Sequence, residues 1–351
     1  MKSLLLWYRQ NRILYPWRRT KDPYKIWLSE ILLQQTRIPV VLRYYNKILK
    51  QFPTIKDLAR AKESVFLSAW SGIGYYSRAR NMLRCAREIV ERHRGKFPRD
   101  LSSLLALPGI GPYTAGALRN LCFDELTPAM DGNITRVLAR ITNDPHRIDS
   151  KIFREEIKRT FVQMGDGIPA EDFFQSLMEL GERICHPVPD CHLCPVRFDC
   201  LALKNGTVGR VPNRPQKRKE QTYHWYMLLL EKGATYRFVQ NGKREFLKDS
   251  WIFPDVLSRK KLSKTQLRTA FRHPFGLELP DTRFAFSLRH TVTFRRLHVH
   301  VLKMKAGRMR GVPGKWLREK DLATHHTSSI TLKVLKKLRA TTRVGPTTGR
   351  A

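Results

Sequence analysis

Residues 107–118 read LPGIGPYTAGAL. Two glycines flank one apolar residue and a proline follows at once, which makes a tight turn that opens a helix. Gly109 and Gly111 permit positive φ, and Pro112 suits the first helical position, where its missing N–H costs nothing. Backbone N–H groups at such a turn point outward toward an anion, and the dipole of the following helix reinforces them. Any helical hairpin can carry a turn of this kind. In a chain with a formal net charge of +36 it becomes a candidate phosphate clamp.

That charge comes from 66 Lys and Arg against 30 Asp and Glu, far more than solubility requires. It is the footprint of a polyanion binder, the plainer alternative being a ribosome-associated or merely solvated basic surface. An apolar fraction of 42% excludes a disordered chain, and 351 residues suffice for two domains. No apolar run reaches the roughly 18 residues of a membrane span. The opening MKSLLLWYRQ is too short in apolar residues for a signal peptide. A soluble intracellular protein with no membrane association is expected. Little precedes the first helices, so a bacterial cytoplasm is the expected location.

Outward from the turn, apolar residues recur at spacings of three and four up to about residue 204, and Pro and Gly mark the breaks. Residues 1–204 therefore read as all-α. Residues 204–220, KNGTVGRVPNRPQKRKE, carry six basic residues, two Pro and two Gly and read as a linker, placed at 205–221. Beyond it, β-branched and aromatic runs with Gly-containing turns surround LSKTQLRTAF, a helix with Ser263 as its cap. This second domain, 222–338, reads as α+β, with a frayed tail at 339–351.

Residues 26–36, IWLSEILLQQT, place one carboxylate in an apolar run, behind a helix start with Asp22 as cap and Pro23 at the first position. Of the helical neighbours of Glu30, namely Ile26, Trp27, Leu33 and Gln34, three are apolar, so Glu30 faces inward. Either an unseen Arg pairs with it, or its pKa is raised for use. In PAMDGNITRVLARI, Asp131 and Asn133 stand at the mouth of a helix, where N-capping is the plain explanation for the Asp. Cys185, Cys191, Cys194 and Cys200 fall within 16 residues. In a reducing compartment such a set binds a metal, as zinc or as an iron–sulfur cluster.

Taken in order, SEILLQQT, GIGYYSRARN, LPGIGPYTAGA, MDGNITRVLAR and the four-Cys loop resemble the MutY adenine DNA glycosylases of the helix-hairpin-helix, Gly/Pro-Asp superfamily. The match is strong over roughly residues 7–205. The resemblance implies a six-helix barrel module over about 23–132, and a cluster module made of the N-terminal helix with about 133–204. It implies a [4Fe-4S] cluster on the four cysteines, although the first gap is five residues where six is usual. It also implies that Glu30 protonates the leaving adenine and later assists water, that Asp131 stabilises the sugar cation, and that Asn133 orients both carboxylates. Tyr113 stands where bifunctional relatives carry a Schiff-base lysine, so base removal without efficient strand cleavage is expected. Trp17, Arg18 and Gln175 would line the adenine pocket. Gln35, Thr36, Ile73 and Tyr75 would lie near the opposite base, with Tyr75 as the wedge, and Gly109 and Gly111 would hold the backbone.

The second domain resembles, more weakly, the Nudix-like lesion-reading domain of the same family. Thr293 keeps the hydroxyl expected to read 8-oxoguanine, while Val292 and Phe294 replace an aromatic residue and a histidine. Between Asp255 and Glu278 there is no acid to hold Mg²⁺, which argues against nucleotide hydrolysis. Between Asp281 and Glu319 there are ten Lys or Arg and no acid, a surface suited to a phosphate backbone. The expected partner is double-stranded DNA with 8-oxoguanine:A or G:A mispairs, bound by a monomer. The competing readings are a pyrimidine-lesion or mismatch glycosylase, an inactive DNA binder and a Nudix hydrolase.

Overall fold

The computed structural model describes residues 1–70, 72–215, 220–241, 247, 250–276, 279, 283–305, 313–324 and 327–343. The chain forms two compact units that divide between Gln216 and Lys217.

The first unit is helical. Its helices are α1 (Lys2–Asn11), α2 (Pro23–Leu33), α3 (Ile38–Gln51), α4 (Ile55–Arg60), α5 (Glu63–Ala69) and α6 (Tyr76–His93). They continue with α7 (Leu101–Ala106), α8 (Pro112–Phe123), α9 (Gly132–Thr142), α10 (Lys151–Gly165), α11 (Ala170–Arg183) and α12 (Leu201–Lys204). Local signals start many of them. Asp22 accepts from the Tyr24 N–H ahead of α2, and Asp131 accepts from the N–H groups of Asn133 and Ile134 ahead of α9. Among the described residues seven α-helices lie between Pro23 and Phe123, where the resemblance implies six. The chain between α3 and α6 makes two short helices: a Thr54–Asp57 capping box starts α4, and extended Ala61 ends it.

The α7–α8 hairpin is as the quoted motif requires, with one of its two glycines at positive φ. Gly109 adopts φ +80°, and a Cβ there would stand 2.8 Å from Cβ of Asn81 on α6. Gly111, which could also have taken positive φ, caps α8 at φ −94° with open space around it. One left-handed residue suffices to reverse the chain, and Pro112 sets the rest.

The expected linker is in part built into the first unit. The Arg140 guanidinium donates to the Val211 carbonyl (3.0 Å), the Ile148 N–H donates to the Asn213 carbonyl (2.9 Å), and buried Val211 joins the core that runs from Leu4.

The second unit is a mixed sheet between two helices. Its strands are β1 (Gln221–Lys232), β2 (Thr235–Gln240), β3 (Trp251–Ile252), β4 (Asp255–Ser258), β5 (Arg283–Val292), β6 (Arg295–Lys305) and β7 (Lys315–Leu317). The order is β3-β2-β1-β6-β5, with β4 paired to β1 and β7 to β2; β1 and β6 run parallel. The central strand β1 is buried on both faces. Trp225, Met227 and Leu229 pack with Ile330, Val334 and Leu335 of α14 (Ser329–Arg343). The alternate residues Tyr226, Leu228 and Leu230 pack with Phe271 of α13 (Lys264–Phe275), which starts at the expected Ser263 cap. The tail expected at 339–351 is helical to Arg343, and its remainder lies outside the described residues.

Candidate active site

Three helices deliver the central groups. α2 carries Glu30 on its buried face, the hairpin places Tyr113 in the first turn of α8, and the start of α9 supplies Asp131 and Asn133. All four line one cleft of about 810 Å³. Glu30 is 8% exposed, and burial pushes its carboxyl from the ordinary 4.5 up to about 7. The Tyr113 hydroxyl, directed at the carboxylate, offsets this in part; the charge of Asp131 adds to it and that of Arg18 opposes it.

Burial raises Asp131 above the ordinary carboxylate value too, and the Ile134 and Asn133 N–H groups and the Arg136 charge offset that rise only in part. The cap distances are 2.9 Å to Asn133 N and 2.8 Å to Ile134 N. One carboxyl thus sits among apolar side chains, and the other at a helix N-terminus that favours its charge. Capping and a place in the cleft are both true of Asp131.

Asn133 is held from below. Buried Arg136 donates to its Oδ1 (2.9 Å) and to the carbonyls of Gly181 (2.7 Å) and Cys185 (2.6 Å). A Cβ at Gly181 would lie 2.6 Å from Cβ of Asn133, so glycine lets α11 press against the start of α9.

Trp17, Arg18, Gln175, Gln35 and Thr36 line the same cleft. Trp17 stacks on Tyr15 with centroids 5.1 Å apart, and Arg18 pairs with buried Glu179, itself bonded to Arg183. Gln35 follows α2 with φ +59°.

The remaining expected DNA contacts lie elsewhere. Ile73 is half-buried, Tyr75 is 61% exposed with φ +49°, and neither lines the cleft, nor do Gly109 and Gly111 at the hairpin turn. Arg78 lies 5.3 Å from the Tyr75 ring centroid and 5.6 Å from that of Trp70, and donates to the carbonyls of Ile31 and Gln34 at the end of α2. It thereby ties the Tyr75 turn to the helix that bears Glu30. Thr293 belongs to the second unit, exposed at the two-residue tip of the β5–β6 hairpin with φ +55°, a conformation unfavourable for a β-branched residue.

Cys185, Cys191, Cys194 and Cys200 line a second cavity whose walls are otherwise largely apolar. Burial and the neighbouring thiols push Cys194 up to about 11. Arg140 donates to Cys185 Sγ (3.3 Å) and to the carbonyls of His186 (2.6 Å) and Pro187 (3.0 Å), bracing the loop. Among the described residues no group of three or more His, Cys, Asp or Glu side chains is arranged to hold a single metal ion. Four soft donors around one shared space, with a guanidinium beside them, fit a thiolate-ligated cluster.

Glu171, Glu182, Phe174 and Met178 also line the cleft. They and Arg136 escaped the sequence reading. The apolar spacing of α11 was visible, but which of its polar residues faces α2 depends on packing between segments some 140 residues apart.

A family model described as HhH-GPD superfamily base excision DNA repair protein matches residues 28–162. The chain is 33% identical over 290 residues to an adenine DNA glycosylase of Buchnera aphidicola, covering 78% of this chain and 81% of that one. It is 37% identical over 226 residues to the adenine DNA glycosylase of Mus musculus, covering 61% of this chain and 44% of the mouse protein. Among solved structures, a thermostable thymine-DNA glycosylase superposes with a TM-score of 0.53 at 26% identity, over 58% of this chain and 94% of that one.

Proposed function

The chain belongs to the MutY family of adenine DNA glycosylases of base excision repair, and from that premise we propose that it hydrolyses the N-glycosidic bond of adenine mispaired with 8-oxoguanine or G in double-stranded DNA. The observation that carries the reading is the shared cleft of Glu30 and Asp131, two buried carboxyls of which Asp131 alone is anchored by two backbone N–H groups at a helix N-terminus.

The glycosidic bond is out of reach inside the base stack, so the nucleotide is everted into the cleft. Glu30, protonated near neutral pH, gives its proton to N7 of the departing adenine. Asp131, anchored by two N–H groups, stabilises the positive charge that develops on the sugar, as paired carboxyls do in glycoside hydrolysis. Glu30, now ionised, assists the attacking water, and Asn133 keeps the start of α9 in register with it. Tyr113 has no amine to capture the sugar, so base removal proceeds without efficient strand cleavage. Trp17, Arg18 and Gln175 receive the adenine. Gln35, Thr36, Ile73 and Tyr75 serve the opposite base, and Thr293 reads 8-oxoguanine.

The four cysteines hold a [4Fe-4S] cluster, whose role is structural. Arg136 joins the Cys185 carbonyl to Asn133, so loss of the loop would disturb the cleft. Stoichiometric iron and sulfide with visible absorption are expected of anaerobically purified protein; stoichiometric zinc would overturn the assignment.

Single-turnover release from duplexes pairing A with 8-oxoguanine, G, C and T tests the function. Fastest release opposite 8-oxoguanine, then G, is expected, without matching strand nicking. Equal release from all four, or none, would refute the proposed specificity.

A further inference from the structure

Gln175 is 5% exposed and stands in the cleft wall beside Phe174, whose ring centroid is 6.5 Å from that of Tyr113. Both ends of its amide are engaged. Its Nε2 donates to Glu171 Oε1 (3.0 Å), and its Oε1 accepts from the Tyr8 hydroxyl (2.9 Å). The other oxygen of Glu171 pairs with Lys21, whose ammonium also donates to the Leu121 carbonyl (3.0 Å). An ion-paired carboxylate accepts and does not donate, so the Gln175 amino group must face it. The Tyr8 hydroxyl, which could donate or accept, is left with the carbonyl end and donates to it. Turning the amide over would set Oε1 against the Glu171 carboxylate.

We propose that Glu171 and Tyr8 are positioning residues that lock the Gln175 amide in one sense and so make the cleft prefer a 6-amino purine over a 6-oxo purine. The inference rests on the adenine-excision reading. What the amide has left to offer is one N–H and one lone pair, in a fixed order. Adenine offers an amino donor at position 6, whereas guanine and hypoxanthine offer an oxygen acceptor there. With the base also held at N7 by Glu30, a 6-oxo group brings its oxygen against Oε1, and a site built around a fixed hydrogen bond rejects the analogue that cannot make it.

The experiment compares single-turnover release of adenine and of hypoxanthine from the same position opposite 8-oxoguanine, using full-length protein. The unaltered chain, Glu171→Gln, Tyr8→Phe and the double variant are measured. A drop of about tenfold in the adenine-to-hypoxanthine ratio is expected for Glu171→Gln and for the double variant, with a smaller drop for Tyr8→Phe. The pH midpoint of adenine release should stay where Glu30 sets it. A ratio unchanged while both bases are lost in parallel would mean a merely structural role and overturn the proposal, as would unchanged release of both. Should Glu171→Gln fail to fold, an unchanged ratio in Tyr8→Phe alone overturns it. No adenine release by the unaltered chain would instead strike the adenine reading itself.

Discussion

Glu30 is held where its charge is unwelcome, and that has a measurable cost. Its carboxyl titrates near 7 in the folded chain against an ordinary 4.5, so the folded state binds the proton more tightly than the unfolded state. Stability from this group is intact below the unfolded value and falls as pH rises from about 4.5 to about 7, by about 3 kcal/mol in all. Glu30→Gln removes that penalty. Urea unfolding at pH 8 should find the variant more stable by up to about 3 kcal/mol, with the difference shrinking toward zero near pH 4.5; equal stability at both pH values would contradict the burial argument. Asp131→Asn tests the other carboxyl, because Asn caps a helix about as well as Asp. The variant should melt like the parent yet lose adenine release by about a hundredfold or more. Glu30 was legible in the sequence because it breaks a local pattern, a charge in an apolar run, whereas Asp131 fits the ordinary cap pattern and stood out only through the motif resemblance. Arg136, Glu171 and Tyr8 break none, and their importance lies in partners far along the chain.

Helix ends and close approaches set the geometry of the cleft. α9 and α11 meet through Gly181, and Gly181→Ala would drive a methyl group into Asn133. Overpacking of this kind costs about 1–3 kcal/mol, so a lower melting temperature is expected together with a loss of excision larger than the loss of folded protein. Activity that simply tracks the folded fraction would show that the contact does not position Asn133. At this scale the sequence spoke through caps and turns. Asp22 with Pro23, Ser263 and the Gly109 turn were readable because each satisfies or strains the backbone locally. At Gly111 the conformation stayed open in the sequence, since a glycine permits positive φ without requiring it. The stretch near Val211 misled because Pro, Gly and basic composition reveals nothing of the Arg140 and Ile148 partners it finds.

At the scale of the whole molecule, the chain carries a net charge of +36 although its cleft is lined by acids. Duplex affinity should therefore fall steeply with salt: six or more phosphate contacts imply a loss of about a thousandfold or more between about 50 and 200 mM. Titrations by fluorescence anisotropy would check this, and a flat response would argue against phosphate contacts as the main source of affinity. The helical unit was legible in outline from its ordered motifs. The parallel pairing of β1 with β6 was not, because no local pattern says which of two apolar strands lies beside which. The most direct test of the account is the pH dependence of single-turnover adenine release, measured for the unaltered chain and for Glu30→Gln on A:8-oxoguanine duplexes. The account predicts that release by the unaltered chain declines as pH rises through about 7, while the variant still binds DNA and releases almost nothing at any pH. Release that is flat through that range, or a variant that turns over normally, would contradict it.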